Sequence, residues 1–148
     1  MSGIVTLSGK TKLYFYEGSL NAQAYQDLIK EAMPDIKKLP NKKHCFQQDG
    51  APCHTAKTTQ AFLGKQKFSF LPKTKWPGNS PDLNPIEHLW YKLKFNVAKR
   101  GAENIQDLKR YAQEEWAKFV ASFIKTYVAS MPDRLAQCLE NQGGKTTY

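Results

Sequence analysis

The chain has 148 residues, 22 Lys and Arg against 13 Asp and Glu for a net charge of +9, and 41% hydrophobic residues, enough for one domain with a real core. The excess of cations points to an acidic partner, nucleic acid foremost, with an ordinary basic protein as the plain alternative. No apolar run approaches membrane-spanning length, Met1-Ser2-Gly3-Ile4 is not a signal peptide, and three cysteines without C-x-x-C spacing argue against a disulfide framework, so the expectation is an intracellular protein with reduced thiols.

In chain order, Ile4 to Leu7 and Thr11 to Tyr16 read as two strands around a turn at Ser8-Gly9. Asn21 caps a helix in which Tyr25, Leu28, Ile29, Ala32 and Ile36 recur at helical spacing, and Pro34 predicts its end near Met33. His44 to Gln48 is a short strand that delivers Asp49 to a loop. Thr55 to Leu63 is a helix stopped by Gly64, and Phe68 to Leu71 is a fourth strand. Four prolines from Pro72 to Pro85 make a loop. Asn84 then reads as an N-cap with Pro85 at the first helical position, opening a helix whose buried stripe is Ile86, Leu89, Trp90, Leu93 and Val97. Glu87, Tyr91 and Lys94 share a different face of that helix. Beyond Gly101, the positions Ile105, Leu108, Ala112, Trp116, Phe119 and Phe123 predict one long helix, and Pro132 to Leu139 a shorter one ended by Gly143. This order is that of an α/β layered fold in a single domain, 1–148, with an α/β core at 1–100 and helices at 101–148.

Between Asp49 and Asp82 there is no Asp or Glu, while Lys57, Lys65, Lys67, Lys73 and Lys75 all fall there. Isolated acids in basic surroundings suit a metal-dependent phosphodiester enzyme, because hard cations want oxygen ligands and a polyanion wants lysine. Local readings compete with this one. Asp49-Gly50 is also a turn dipeptide, and Glu87, the third helical residue after Asn84, could close a capping box. His54 could stand beside a metal, meet a phosphate or pack in the corner. A zinc site from Cys45, Cys53, His54 and Cys138 lacks the ligand spacing of known motifs. Trp90 and Trp116 fall on apolar stripes and read as core, whereas Lys73, Lys75, Lys92, Lys94, Lys99 and Arg100 are the phosphate-contact candidates.

Two phrases carry a resemblance. Phe46-Gln47-Gln48-Asp49-Gly50-Ala51-Pro52-Cys53-His54 and Ser80-Pro81-Asp82-Leu83-Asn84-Pro85-Ile86-Glu87-His88-Leu89-Trp90 resemble the two carboxylate-bearing signatures of the mariner superfamily of DNA transposases, and the likeness runs from about Gly3 to the C-terminus. It implies an RNase H-like catalytic domain with extra C-terminal helices. It implies Asp49 and Glu87 as the second and third carboxylates of a DDE triad, holding Mg²⁺ or Mn²⁺ in a two-metal site. DNA cleavage and strand transfer, DNA as partner, a homodimer as in transposase complexes, and a place in the nucleus follow from the same resemblance. His54, Asp82 and Asn84 would be neighbours of the site; the family phrase puts the catalytic acid after Asn84-Pro85, so Asp82 is expected to order the loop.

Two departures qualify the match. Thirty-seven residues intervene between Asp49 and Glu87, three more than is common, and Lys73-Thr74-Lys75 reads as the insertion. The family's first Asp sits on a strand upstream of the point matching Gly3, and the helix-turn-helix region has no counterpart here. The expectations are a fold incomplete at its N-terminus, a sheet either re-paired or gapped, an incomplete metal site, DNA binding without strong sequence preference, and no cutting by this chain alone. The alternatives are a non-catalytic, domesticated or remnant DNA-binding protein, and a protein-interaction module built on the C-terminal helices.

Overall fold

The computed structural model describes residues 1–39, 45–66 and 68–148; His44, the expected first residue of the third strand, and Lys67 lie outside them. The chain forms two compact units, one made of Met1–Phe15 with Pro81–Tyr148 and the other of Tyr16–Ser80. The N-terminal hairpin and the C-terminal helices therefore share one unit.

That unit opens with β1 (Val5–Thr6) and β2 (Gly9–Lys10), antiparallel with Val5 opposite Lys10 and Thr6 opposite Gly9. The turn is Leu7-Ser8, one residue earlier than its composition suggested, and neither residue has a positive φ. Thr6 Oγ1 takes the Ser8 N–H instead, a side-chain bond that lets an ordinary turn serve. Farther from the turn, Ser2 pairs with Tyr14, which leaves one more residue on the second strand than on the first. This bulge sits at Thr11, whose hydroxyl accepts the Ile4 N–H and whose carbonyl accepts the buried Trp116 Nε1–H at 2.8 Å.

The helices of this unit are α4 (Ile86–Ala98), α5 (Ile105–Ala117), α6 (Ala121–Ala129) and α7 (Met131–Glu140). The predicted stripe on α4 is buried as expected, with Leu89, Leu93 and Val97 in the core and Ile86 and Trp90 packed against it. Leu13, Ala112, Trp116, Phe119 and Ile124 complete that core, and Trp90 stacks on Trp116 with centroids 5.2 Å apart. A Cβ on Gly3 would come within 3.2 to 3.3 Å of the Trp116, Leu13 and Trp90 side chains, so a larger residue there would require these side chains to shift by a few tenths of an ångström. The single long helix expected after Gly101 is two helices. Val120 is extended, and Lys10 Nζ donates to the carbonyls of Phe119 at 2.7 Å and Ala117 at 3.4 Å. A cation delivered from the hairpin thus closes α5 where the apolar spacing runs on. Ile105 and Leu108, expected on the buried stripe, are exposed.

The second unit contains α1 (Ala22–Lys38), β3 (Cys45–Phe46), α2 (Pro52–Thr55), α3 (Lys57–Gly64) and β4 (Ser69–Phe70). Asn21 caps α1 as predicted, its Oδ1 accepting the Ala24 N–H. The helix does not stop at Met33; it runs through Pro34 to Lys38. Proline in a helix interior costs about 3 kcal/mol, and burial of Tyr25, Leu28, Ile29 and Ala32 exceeds that when summed at about 1.5–3 kcal/mol per large side chain. The helix expected from Thr55 is likewise two pieces, α2 and α3, broken at Ala56 (ψ 139°). β3 and β4 pair in parallel, Cys45 with Ser69 and Phe46 with Phe70. Among the described residues the four strands make two separate two-stranded sheets, and the hairpin does not pair with the Cys45 strand.

Candidate functional site

Asp49 follows β3 and faces two constraints of its own making. Its Oδ1 accepts the Ala51 N–H at 3.0 Å and lies 2.6 Å from His54 Nδ1. Both bonds use one oxygen, Oδ1, and among the described residues no bond to Oδ2 is seen. The Asp49 side chain is 50% exposed while that of His54 is 17% exposed; the imidazole is walled in and the carboxylate is presented.

The imidazole is held from behind. Tyr25 lies 4.1 Å from it, centroid to centroid, and donates its hydroxyl to Gln48 Oε1 at 2.7 Å. Burial, then the charges of Cys53 and Asp49, push the Tyr25 hydroxyl well above its ordinary range, so it stays a donor. Gln48 Nε2 and Gln60 Nε2 both donate to the His54 carbonyl, at 3.1 and 2.9 Å. The Thr59 hydroxyl, fully buried, donates to the Cys53 carbonyl at 2.7 Å. These three side chains satisfy the open carbonyl end of α2, a helix too short to satisfy its own. Gln60 Oε1 accepts the Lys73 N–H at 3.3 Å, which ties the 3-10 turn Lys73–Lys75 to α3.

Asp49 and Lys73 line one cavity of about 380 Å³, together with Gln48, Gly50, Thr55, Leu71, Trp76 and Gly78. A depression of about 490 Å³ in the other unit is lined by Phe15 and residues of α5, Asp107 and Arg110 among them; the Asp107 and Arg110 charges there pair with each other at 2.7 Å, and none of the candidate residues reaches it.

Glu87 belongs to the other unit, in the first turn of α4. Its N–H donates to the Asn84 backbone carbonyl at 3.0 Å, but the N-cap position is Pro85, in helical conformation, and no side-chain bond caps the helix; the Asn84 cap expected from sequence does not form, because the preceding 3-10 turn leads the backbone into the helix. The preceding 3-10 turn, Pro81–Leu83, is held from the far end of the chain. Asp82 Oδ2 accepts the Thr146 N–H at 2.8 Å, and its carbonyl accepts from Arg134 Nη1. That bond from Thr146, with smaller help from the Asp82 and Leu83 N–H groups, holds the Asp82 carboxyl below its ordinary range. Asp82 does order the loop, mainly through a residue 64 positions away rather than through its neighbours. Arg134 is itself fully buried, bonded to Ser130 Oγ at 2.8 Å and stacked 4.2 Å from the Tyr148 ring.

Of the basic candidates, Lys92, Lys94 and Lys99 are exposed on or at the end of α4, with Lys99 Nζ 4.1 Å over the Phe95 ring. Lys73 and Lys75 are exposed on their turn. Arg100 is committed elsewhere: it pairs with Glu114 and, at 3.2 Å, with Glu115, and lies over Tyr111. Sequence reasoning placed Tyr25 only among the periodic positions of its helix and Gln48 only inside a quoted phrase, and assigned no role to Thr59, Gln60 or Trp76. A signal existed for Thr59, a polar residue one turn before Leu63 on the apolar face of α3, and for Gln48, inside the quoted phrase.

Oxygen donors such as Asp49 and Glu87 suit a hard divalent ion. Among the described residues, no three His, Cys, Asp or Glu side chains come together as a metal cluster. The three cysteines are free and form no zinc site among those residues.

Residues 1–109 match the family described as DDE superfamily endonuclease. The chain belongs to that family. Within the DDE superfamily it is 30% identical over 149 residues to the Transposable element Tc3 transposase of Caenorhabditis elegans, covering 99% of this chain and 44% of that protein. It is 33% identical over 125 residues to the Transposable element Tcb2 transposase of Caenorhabditis briggsae, covering 84% and 45%. The chain thus spans less than half the length of these relatives. Among solved structures, the catalytic domain of Mos1 mariner transposase matches with a TM-score of 0.80 at 25% identity, covering 97% of this chain and 74% of that one. A Mos1 transposase paired-end complex with left transposon end matches with a TM-score of 0.79 at 24% identity, covering 94% and 42%. The fold is that of the Mos1 catalytic domain, RNase H-like with added helices, as the resemblance implied.

Proposed function

We propose that this chain is the catalytic core of a DNA transposase, binding transposon-end DNA and cleaving and rejoining its phosphodiesters with Mg²⁺ or Mn²⁺ ligated by Asp49 and Glu87. The observation that carries this is the exposed Asp49 carboxylate, one oxygen fixed by Ala51 and His54, in the lining of a cavity that Lys73 also lines. Divalent ions in such a site activate the attacking oxygen and stabilise the leaving one. The chain's own part is to hold the carboxylates rigidly and neutralise phosphate. His54 fixes the Asp49 rotamer, the Asp82 bonds to Thr146 and Arg134 fix the turn that leads into the helix bearing Glu87, and Lys73, Lys75, Lys92, Lys94 and Lys99 meet the backbone with little sequence preference. Names of solved relatives that include Mn, Mg and transposon ends support the ions and the partner. Assembly of two copies on paired ends, and a place in the nucleus, belong to the same proposal.

A second reading, DNA binding without turnover, asks only for the net charge of +9 and the exposed lysines. One assay separates them: labelled duplex with Mg²⁺ or Mn²⁺, using this chain and a version extended upstream by a strand bearing an Asp, each also as Asp49→Ala and Glu87→Gln. Metal-dependent cleavage by either form, lost in both variants, supports the enzyme. Salt-sensitive binding with no cleavage by either form supports the second reading. Cleavage that survives both substitutions overturns the assignment of the carboxylates.

A further inference from the structure

The unit that holds α4 to α7 presents two apolar helix faces to solvent, and they carry opposite charge. On α4, Tyr91 and Phe95 lie one turn apart on the side away from the buried Leu89, Leu93 and Val97; Tyr91 is 74% exposed and Phe95 46%. Lys92, Lys94 and Lys99 are exposed around them, with the Lys92 and Lys99 ammonium groups 5.7 and 4.1 Å from the Phe95 ring. The sequence has no Asp or Glu from His88 to Ala102.

On α7 the charge is reversed. Its inner side is occupied: Arg134 is fully buried, and Gln137 Oε1 accepts from the Thr147 N–H and hydroxyl at 3.0 and 2.9 Å. Its outer side shows Pro132, Leu135, Ala136 and Leu139 at helical spacing, all exposed, Leu139 by 80%. Asp133 and Glu140 are exposed at the two ends of that stripe, and the one cation in the helix is the buried Arg134.

In a chain of net charge +9, an acidic and apolar face is no use to a polyanion. Nor does it suit its own copy, because two α7 faces laid together set acid against acid. What complements it is apolar surface among lysines, and α4 has that composition. We propose that the α7 face of one copy docks on the α4 face of a second copy, its leucines on the Tyr91 and Phe95 rings and its two acids among the lysines. Opposite charges set the register, and the leucine–aromatic contact excludes water. One stripe on a ten-residue helix is small for an interface, so the association is weak and salt-sensitive. Lys92, Lys94 and Lys99 are the phosphate contacts of the DNA reading, so a second copy and DNA exclude each other on α4. That exclusion rests on the DNA reading; the association does not.

Sedimentation equilibrium of the chain without DNA tests it. At low salt the mass should rise with concentration from that of one chain, 16.9 kDa, to two copies or more, with a Kd on the order of 10–100 μM. Leu139→Ser, at an open position, should weaken the association about tenfold. Asp133→Lys with Glu140→Lys should abolish it, and so should Lys94→Glu with Lys99→Glu, each with unchanged far-UV circular dichroism. An equimolar mixture of those two double variants should associate again, since each face then meets its opposite charge. A short duplex in excess should return the parent to single copies. A parent that stays a single chain at every concentration, association that survives both charge reversals, or a mixture no more associated than its components overturns the proposal. Duplex that binds while the copies stay together overturns the exclusion, whereas duplex that does not bind removes the DNA reading and leaves the association standing.

Discussion

The two units hold their carboxylates by different physics. Glu87 starts a helix whose buried face, Leu89, Leu93 and Val97, belongs to a core of eight buried residues. Asp49 follows a two-residue strand in a unit that buries Tyr25, Leu28, Ile29, Ala32 and Leu63 among its described residues, and its surroundings are set by side-chain hydrogen bonds from Gln48, Thr59 and Gln60. Apolar burial acts without direction and tolerates repacking, whereas a bond to a buried carbonyl is lost whole when its donor is removed. The Glu87 helix should therefore respond to volume changes, and the Asp49 loop to single polar atoms.

The largest effect that would break this contrast is in the apolar core. Leu89→Ala, at a fully buried position, should lower stability by about 3 kcal/mol, read from urea denaturation followed by circular dichroism. A loss below 1 kcal/mol would mean the core repacks around it. Next, Arg134→Ala removes the bonds to Ser130 Oγ and the Asp82 carbonyl and the stack on Tyr148. A loss of about 2–3 kcal/mol is expected, with faster amide exchange across residues 81–87.

Thr59→Val, which keeps shape and removes one hydroxyl, should cost about 1–2 kcal/mol by leaving the Cys53 carbonyl without its donor. Its sharper consequence is at Asp49: the His54 ring signals in NMR should broaden or shift, while those of Trp90 and Trp116 stay in place.

A pH prediction sharpens the comparison on the Glu87 side. The Asp82 carboxyl is lowered in the folded chain, chiefly by the Thr146 N–H, so the unfolded chain binds its proton first. That contribution is present above the unfolded value of about 3.9 and is lost as pH falls through the lower folded value. Melting temperature should decline below about pH 4, and Asp82→Asn should flatten part of that decline; identical acid profiles would show that the Thr146 bond contributes nothing. The smallest effect belongs to the exposed Lys30–Asp27 pair, 2.8 Å apart. Lys30→Ala should change stability by less than about 0.5 kcal/mol.

Patterns that depend on neighbours in sequence were legible from sequence: the Asn21 cap, the stripe on α4, and the short strand that precedes Asp49. These arise from local hydrogen bonding and side-chain periodicity, which a linear reading contains. Where the reading went astray, a distant group had intervened. Lys10 reaches the carbonyls of Phe119 and Ala117 and ends a helix that the apolar spacing would have continued, and burial of the α1 face carries that helix through Pro34. The pinning of Asp82 by Thr146, the commitment of Arg100 to Glu114 and Glu115, and the bond from Tyr25 to Gln48 behind His54 are likewise pairings between different elements, whereas Gln48 and Gln60 reach the His54 carbonyl across six residues each. Local sequence determined which groups could act as ligands, caps and cations; the tertiary structure decided which of them were already spent on one another, because hydrogen bonds and ion pairs form between whatever the packed core brings within reach.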